Sequence, residues 1–276
     1  MTAVRVADLE ASLRFYVDGL GFGLVWRATP DIAVVDAAGY PILLAGPAAG
    51  DLRPHLDETH AVVKPGGTLH AFGGDLAARR AALAERGIAA TLIERAWGDR
   101  ILQVTDPDGY TVAFWTIVER TPEEVLDLYA SGVPALRGAL AGLGEKDLDL
   151  ARRPGEWTIR QIVHHLADSE ATALAGPKFA LAEPGRRFLR NAYDPDRWAE
   201  RLDYAGRAIE PAVELFAAIR AHMLQLVRHL PDAWDRSTVD AAGSPSTPVG
   251  VHLSMLACHA LEHIEEIWET RRVYRC

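Results

Sequence analysis

Two histidines stand four residues apart in the stretch Cys258–Trp268, which reads CHALEHIEEIW. The stretch has no Gly or Pro and is rich in strong helix formers. Leu256, His259, Ala260, His263 and Ile267 fall at i, i+3, i+4, i+7 and i+11. That spacing puts both histidines on the apolar face of a helix. Side chains at i and i+4 are neighbours, so one divalent metal ion could take both imidazoles. The plainer alternative is a pair of hydrogen-bonded core histidines. His-Ala-Leu-Glu-His is also H-x-x-E-H, the inverted zinc-peptidase pattern. Those enzymes take a further carboxylate ligand well downstream, and 13 residues follow His263 here, so we do not expect a peptidase.

A third imidazole could come from Trp157–Glu170 (WTIRQIVHHLADSE). Thr158 followed by Gln161 is a capping box that opens a helix over Ile159–Glu183. His164 and His165 both flank its apolar face at wide angles, and helical phase does not choose between them. Gly176-Pro177 should kink or break this helix. Three more helices are expected. Thr121-Pro122-Glu123-Glu124 caps the first, Pro122–Leu143; the others are Pro211–Leu230 and Pro248–Arg272, the last with Thr247 as N-cap. Four amphipathic helices imply a bundle with its site in the core. Segments 185–209 and 231–246 are long for loops, and such loops often act as lids. His222 and His252 receive no role, although His252 lies seven residues before His259 on a similar face.

The 276 residues could hold one large domain or two of ordinary size, and 49% hydrophobic content is enough for a real core. Residues 1–120 carry 11 Lys and Arg against 15 Asp and Glu, and the rest 18 against 23. With the acidity spread this way, no basic half exists to grip nucleic acid. Cys258 and Cys276 make no disulfide framework. Met1–Leu20 is charged and amphipathic rather than signal-like, and no apolar run is long enough for a membrane span. We therefore expect a cytoplasmic protein with neither nucleic-acid nor membrane partners.

Before residue 119 the apolar period is two, not 3.6. Asp8-Leu9 and Asp75-Leu76 each open a short helix that stops at a glycine, Gly21 or Gly87. Each helix follows a strand, Ala3–Val6 or Thr68–Phe72. Each is followed by three strand-like runs: Gly23–Arg27, Ile32–Asp36 and Tyr40–Leu44, then Ala89–Glu94, Ile101–Thr105 and Tyr110–Trp115. Pro30-Asp31, Ala38-Gly39 and Asp106-Pro107-Asp108-Gly109 mark turns between them. The offset argues for a duplicated βαβββ unit. The expected fold is α+β in two domains: paired βαβββ modules over 1–118, then an all-α four-helix bundle over 119–276.

Val4–Gly23 and Asp106-Pro107-Asp108-Gly109-Tyr110 resemble the glyoxalase/bleomycin-resistance/dioxygenase superfamily, the vicinal oxygen chelate fold, over about residues 1–118. Its metal-using members place a His in the first strand and a Glu in the last. Here those positions fall near Met1 and on Ala113, and an intermediate His position falls on His70 or Leu69. The resemblance therefore implies a metal-free domain that binds small molecules in an aromatic cleft, with Trp26, Trp97, Phe114 and Trp115 as candidate liners. It also implies a homodimer, because such members build clefts across a dimer.

Trp157–Glu170, the H-x-x-x-H of the last helix and Arg190–Trp198 (RNAYDPDRW) together resemble the DinB/YfiT-like metal-binding four-helix bundles over about residues 122–272. The resemblance assigns the ligands as His165, His259 and His263 and leaves His164 peripheral. It implies a Zn²⁺ or Ni²⁺ enzyme. Such an enzyme would hydrolyse a small electrophilic or xenobiotic substrate, or transfer a low-molecular-weight thiol to it. Asp168 and Glu262 are the carboxylates nearest in sequence that could orient an imidazole. The alternative function is non-catalytic binding of an antibiotic-like small molecule, with the bundle as scaffold.

Overall fold

The computed structural model describes residues 2–37, 39–52, 55–56, 61–116, 118–189 and 193–276. They form two compact units, Met1–Glu119 and Arg120–Cys276. Met1, Ala38 and Arg190–Ala192 lie outside the described residues, and with them part of the first-strand ligand position, one turn and the RNAYDPDRW stretch.

The first unit repeats a strand–helix–three-strand pattern. β1 (Thr2–Arg5), β2 (Gly23–Thr29), β3 (Ile32–Asp36), β4 (Pro41–Ala45) and β5 (Ala61–Val62) form one sheet in the order β2-β3-β4-β1-β5. β6 (Thr68–Phe72), β7 (Thr91–Glu94), β8 (Arg100–Thr105) and β9 (Thr111–Trp115) form the second, in the order β6-β9-β8-β7. In each sheet the strand before the helix runs parallel to the last long strand: β1 with β4, β6 with β9. β5 is a short addition with no counterpart in the expected repeat; it pairs with β1 at Thr2 and Ala3.

The helices begin where the aspartates are. Asp8 accepts from the Ala11 amide at the start of α1 (Leu9–Leu13), and Asp75 from those of Ala77 and Ala78 at the start of α2 (Leu76–Glu85). α1 widens into a π-helical turn over Arg14–Gly19 before Gly21 ends it with φ +79°. One face of both sheets packs on these helices through Val4, Tyr16, Leu44, Leu69, Val112 and Phe114.

The Asp-Pro-Asp-Gly turn is a structural clasp. Asp106 accepts from the Tyr110 amide at 2.7 Å and from the Tyr16 hydroxyl at 2.8 Å, and Asp108 accepts from the Ala7 amide at 2.8 Å. The last loop of the second module is thereby tied to the first helix of the first, and Gly109 supplies the φ of +87° that the turn needs.

The second unit is helical: α3 (Pro122–Leu140), α4 (Ile159–Ala173), α5 (Ala175–Ala182), α6 (Pro195–Arg201), α7 (Glu210–His229) and α8 (Val249–Tyr274). Both capping boxes are present, Thr121 with Glu124 and Thr158 with Gln161. The long second helix breaks at Leu174, just ahead of Gly176-Pro177, where Pro177 withdraws an amide donor. Two expectations need correction. Thr247 does not cap α8: Pro248 is the N-cap and no side chain caps the helix. Segment 185–209 is not all loop, since Asp194 caps α6 and Pro195 fills its first turn. Two apolar clusters form the core, one around Leu136, Ile162, Phe216 and Ile267, the other around Val125, Met223, Val249 and Leu253.

Between those clusters lies a buried ion pair. Arg220 donates through Nε and Nη2 to Glu170 Oε1, at 2.8 and 2.6 Å. Tyr129 donates its hydroxyl to Glu170 Oε2 at 2.8 Å. The remaining guanidinium protons reach the carbonyls of Tyr129 and Leu256, each at 2.8 Å. Arg220 is fully buried. Gly132 makes the room, because a Cβ there would stand 2.1 Å from Arg220 Nη1. The network joins α3, α4, α7 and α8 and satisfies both charges, as burial demands.

Candidate metal centre

α4 delivers His165 and α8 delivers His259 and His263 to one place in the bundle. One nitrogen from each lies within 4.8 Å of the others, and among the described residues this is the cluster that could hold a metal ion. His165 Nε2 and His259 Nε2 are 3.2 Å apart. Two nitrogens on one tetrahedral ion at about 2.0–2.1 Å stand about 3.3 Å from each other. The ring centroids of His165, His259 and His263 are 4.7 to 5.2 Å apart in every pairing.

The surroundings fit an ion. His263 Nδ1 lies 2.9 Å from Glu266 Oε2. A carboxylate only accepts, so that nitrogen carries the proton and Nε2 is left as the donor atom to a metal. His165 is buried, and its Nδ1 has no hydrogen-bond partner. Burial, with the His263 imidazole adding to it, pushes the His165 pKa down to about 3. The ring is thus neutral at neutral pH, the form that ligates. Trp157 lies against two of the rings: 4.7 Å from His165, and stacked at 24° on His263 with centroids 6.0 Å apart. Its indole N–H donates to Asp196 of α6 at 2.9 Å, which fixes the indole in place.

The adjacent His164 faces elsewhere. Its ring lies 5.4 Å from that of Tyr204, and its Nε2 is 3.4 Å from the Arg207 carbonyl. Asp168 belongs to that side too: it accepts from the Tyr204 hydroxyl. Glu262 is half-buried on α8. Glu266, not among the carboxylates expected from the sequence, is hydrogen-bonded to an imidazole of the cluster. The i,i+3 spacing from His263 was its signal.

In the first unit, strand phase separates Leu69 from His70. Leu69 packs on the helix face, while His70 is exposed on the opposite face, in register with Ala113. Phe114 is fully buried in the helix-side core beneath the Arg79 guanidinium, so it lines no cleft. Trp115 meets Tyr40 and Phe72 edge-on, Trp97 donates to Asp99, and Trp26 is partly exposed on β2. A cavity of about 220 Å³ in this unit is lined by Thr2, Tyr40, Ile42, Leu69 and His70 among others, and by none of the four proposed liners.

A family model described as the DinB superfamily matches residues 134–267. A protein of Oceanobacillus iheyensis, provisionally named a metal-dependent hydrolase, is 32% identical over 132 residues, covering 48% of this chain and 75% of its own. The chain belongs to the DinB superfamily. A Geobacillus thermodenitrificans relative with the same provisional name is 28% identical over 139 residues, covering 50% of this DinB-superfamily chain and 77% of its own. Among solved structures, YfiT from Bacillus subtilis, described as having an unusual four-helix bundle topology, aligns with a TM-score of 0.50 at 24% identity. It covers 57% of this chain and 90% of that one, and it shows the fold of the DinB-like half. The first half of this DinB-superfamily chain is a glyoxalase/bleomycin resistance protein/dioxygenase domain, whose family model matches residues 1–114. Among the described residues, no helix is long and apolar enough to cross a membrane.

Proposed function

We propose that the helical unit is a metal-dependent enzyme that hydrolyses a small electrophilic substrate, or transfers a low-molecular-weight thiol to it in place of water. The observation that carries this reading is the convergence of the His165, His259 and His263 imidazoles, with His165 Nε2 and His259 Nε2 3.2 Å apart. The relatives provisionally named metal-dependent hydrolases support it. A divalent ion held by three neutral imidazoles, Zn²⁺ or Ni²⁺ by ligand type, keeps its full charge and an open position, and there supplies Lewis acidity and a water or thiol of lowered pKa.

The chain's own residues do the rest. Glu266 holds the His263 tautomer, burial keeps His165 neutral, and Trp157, fixed by Asp196, shields one side of the imidazole cluster from water. His259 also forms part of the wall of a cavity of about 310 Å³, so a substrate lying in that cavity reaches the cluster. The experiment is elemental analysis of the purified protein, then an electrophile screen with water alone and with each candidate thiol. Stoichiometric Zn or Ni with turnover is expected. A protein that takes up no divalent metal would overturn the reading.

A further inference from the structure

The cavity beside His259 has walls from three helices and a roof from two distant loops. Ala173 of α4, Gly176 and Ala180 of α5 and Leu256 of α8 form walls. The roof carries Phe188 and Thr238, held together by backbone pairing: the Phe188 amide donates to the Val239 carbonyl and the Val239 amide to the Arg186 carbonyl, each at 2.9 Å. The Ser246 amide donates to the Thr238 carbonyl at 2.8 Å and closes the same roof. These are the two segments whose length marks them as lids in the sequence. α8 runs along the cavity from Val249 to His259, with His252 about 10 Å before His259 along the helix axis.

The chemistry of this lining is specific. Among the described residues it contains no Asp, Glu, Lys or Arg. A charged group entering it would lose hydration and meet no opposite side-chain charge among the described lining residues. Its polar groups are the hydroxyls of Ser169, Thr238, Ser246 and Thr247 and the imidazoles of His252 and His259; the remainder is apolar. The volume is at the small end of the range for small-molecule sites.

We propose that this cavity is the substrate pocket of the imidazole cluster, that it takes a compact uncharged molecule with an apolar body and a hydrogen-bonding end, and that His252 selects for that end. The proposal rests on the enzymatic reading above for the word substrate, and on the cavity alone for the ligand class. His252 is the one imidazole of the lining that stands apart from the cluster, a full two turns away on the same face of α8.

Ligand-detected NMR on the full-length protein tests it with three probes of one shape: benzyl alcohol, benzylamine (charged at pH 7) and toluene. Metal content is measured on the same samples. Benzyl alcohol should bind saturably, and benzylamine at least tenfold more weakly. Ala173→Leu, which fills the wall, should abolish benzyl alcohol binding while metal content stays at the wild-type level. Should Ala173→Leu not fold, Thr247→Trp, at an exposed position on the rim, carries the same expectation. His252→Leu should reduce the preference for benzyl alcohol over toluene several-fold. Benzylamine binding as tightly as benzyl alcohol would overturn the ligand class, and unchanged binding in the filled variant would overturn the pocket. A protein with no metal that still binds benzyl alcohol in this Ala173-sensitive way would sink the enzymatic reading and keep the pocket's ligand class.

Discussion

Glu266 holds the Nδ1 of His263 at 2.9 Å, three residues further along the same helix. A helix brings i and i+3 side chains together without help from tertiary structure, so this contact is built into α8. It fixes which nitrogen faces the other two imidazoles. Glu266→Gln keeps the shape and removes the charge. It should weaken metal affinity about 10–100-fold. Competition with a metal-sensitive chelating dye measures this, and an unchanged affinity would remove Glu266 from the centre.

His164 and His165 are neighbours on α4, and neighbours on a helix point about 100° apart. Only His165 is in the cluster; His164 lies against Tyr204 and the Arg207 carbonyl. His165→Ala should therefore lose metal after dialysis, while His164→Ala keeps it. Elemental analysis of both variants decides the matter. The reverse pattern would shift the register of the site by one residue.

The depressed pKa of His165 has a definite sign in stability. Unfolded, a His takes up a proton below about pH 6.5. Folded, this one resists until about pH 3. Between those values the unfolded state binds more protons, so stability falls as pH falls, by about 1.4 kcal/mol per pH unit for this group alone. Above about pH 6.5 its contribution is fully present and flat. Chemical denaturation of wild type and of His165→Phe across pH 4–8 should show a shallower slope in the variant. Parallel slopes would contradict the assignment. Bound metal should steepen the dependence, because protons compete with it for the same nitrogens.

Glu170 and Arg220 offer a test of the bundle rather than the site. Burial raises the Glu170 pKa, and the Arg220 guanidinium opposes that shift. Arg220→Met leaves the carboxylate buried without its counter-charge and should cost about 3–5 kcal/mol. Gly132→Ala forces a methyl to within 2.1 Å of Arg220 Nη1 and should cost about 1–3 kcal/mol by overpacking. Urea unfolding midpoints measure both. Neither variant touches the three imidazoles, so a change in metal content at temperatures where the variant is folded would show that the pair also sets the site.

Most of the architecture is legible in the sequence because its signals are local. Asp8, Asp75, Thr121 and Thr158 mark helix starts, and each makes the capping hydrogen bond its type implies. Gly176-Pro177 marks the break between α4 and α5. The same local grammar was available at Asp194-Pro195, where α6 begins inside what reads as loop. Other features are not local. Whether His164 or His165 joins the cluster depends on where α8 packs, which phase on α4 alone leaves open. Phe114 reads as an aromatic that could line a cleft, and strand parity turns it into the core instead. Arg220 looks like any arginine of an amphipathic helix. Its burial requires a carboxylate from α4, a hydroxyl from α3 and a glycine opposite, three residues spread over the chain.

His252, His259 and His263 ride on one uninterrupted helix of 26 residues. Counted at about 100° per residue, His259 and His263 lie about 20° to either side of the line through His252. Cavity wall and imidazole cluster therefore share a single angular phase, written in the intervals seven and four. Inserting or deleting one residue between Leu253 and Cys258 would swing His252 about 100° away from the other two and leave the cavity facing a turn that no longer meets the cluster. A gain of seven residues would nearly keep the alignment and change mainly the distance. The length of this stretch is thus constrained more tightly than its composition.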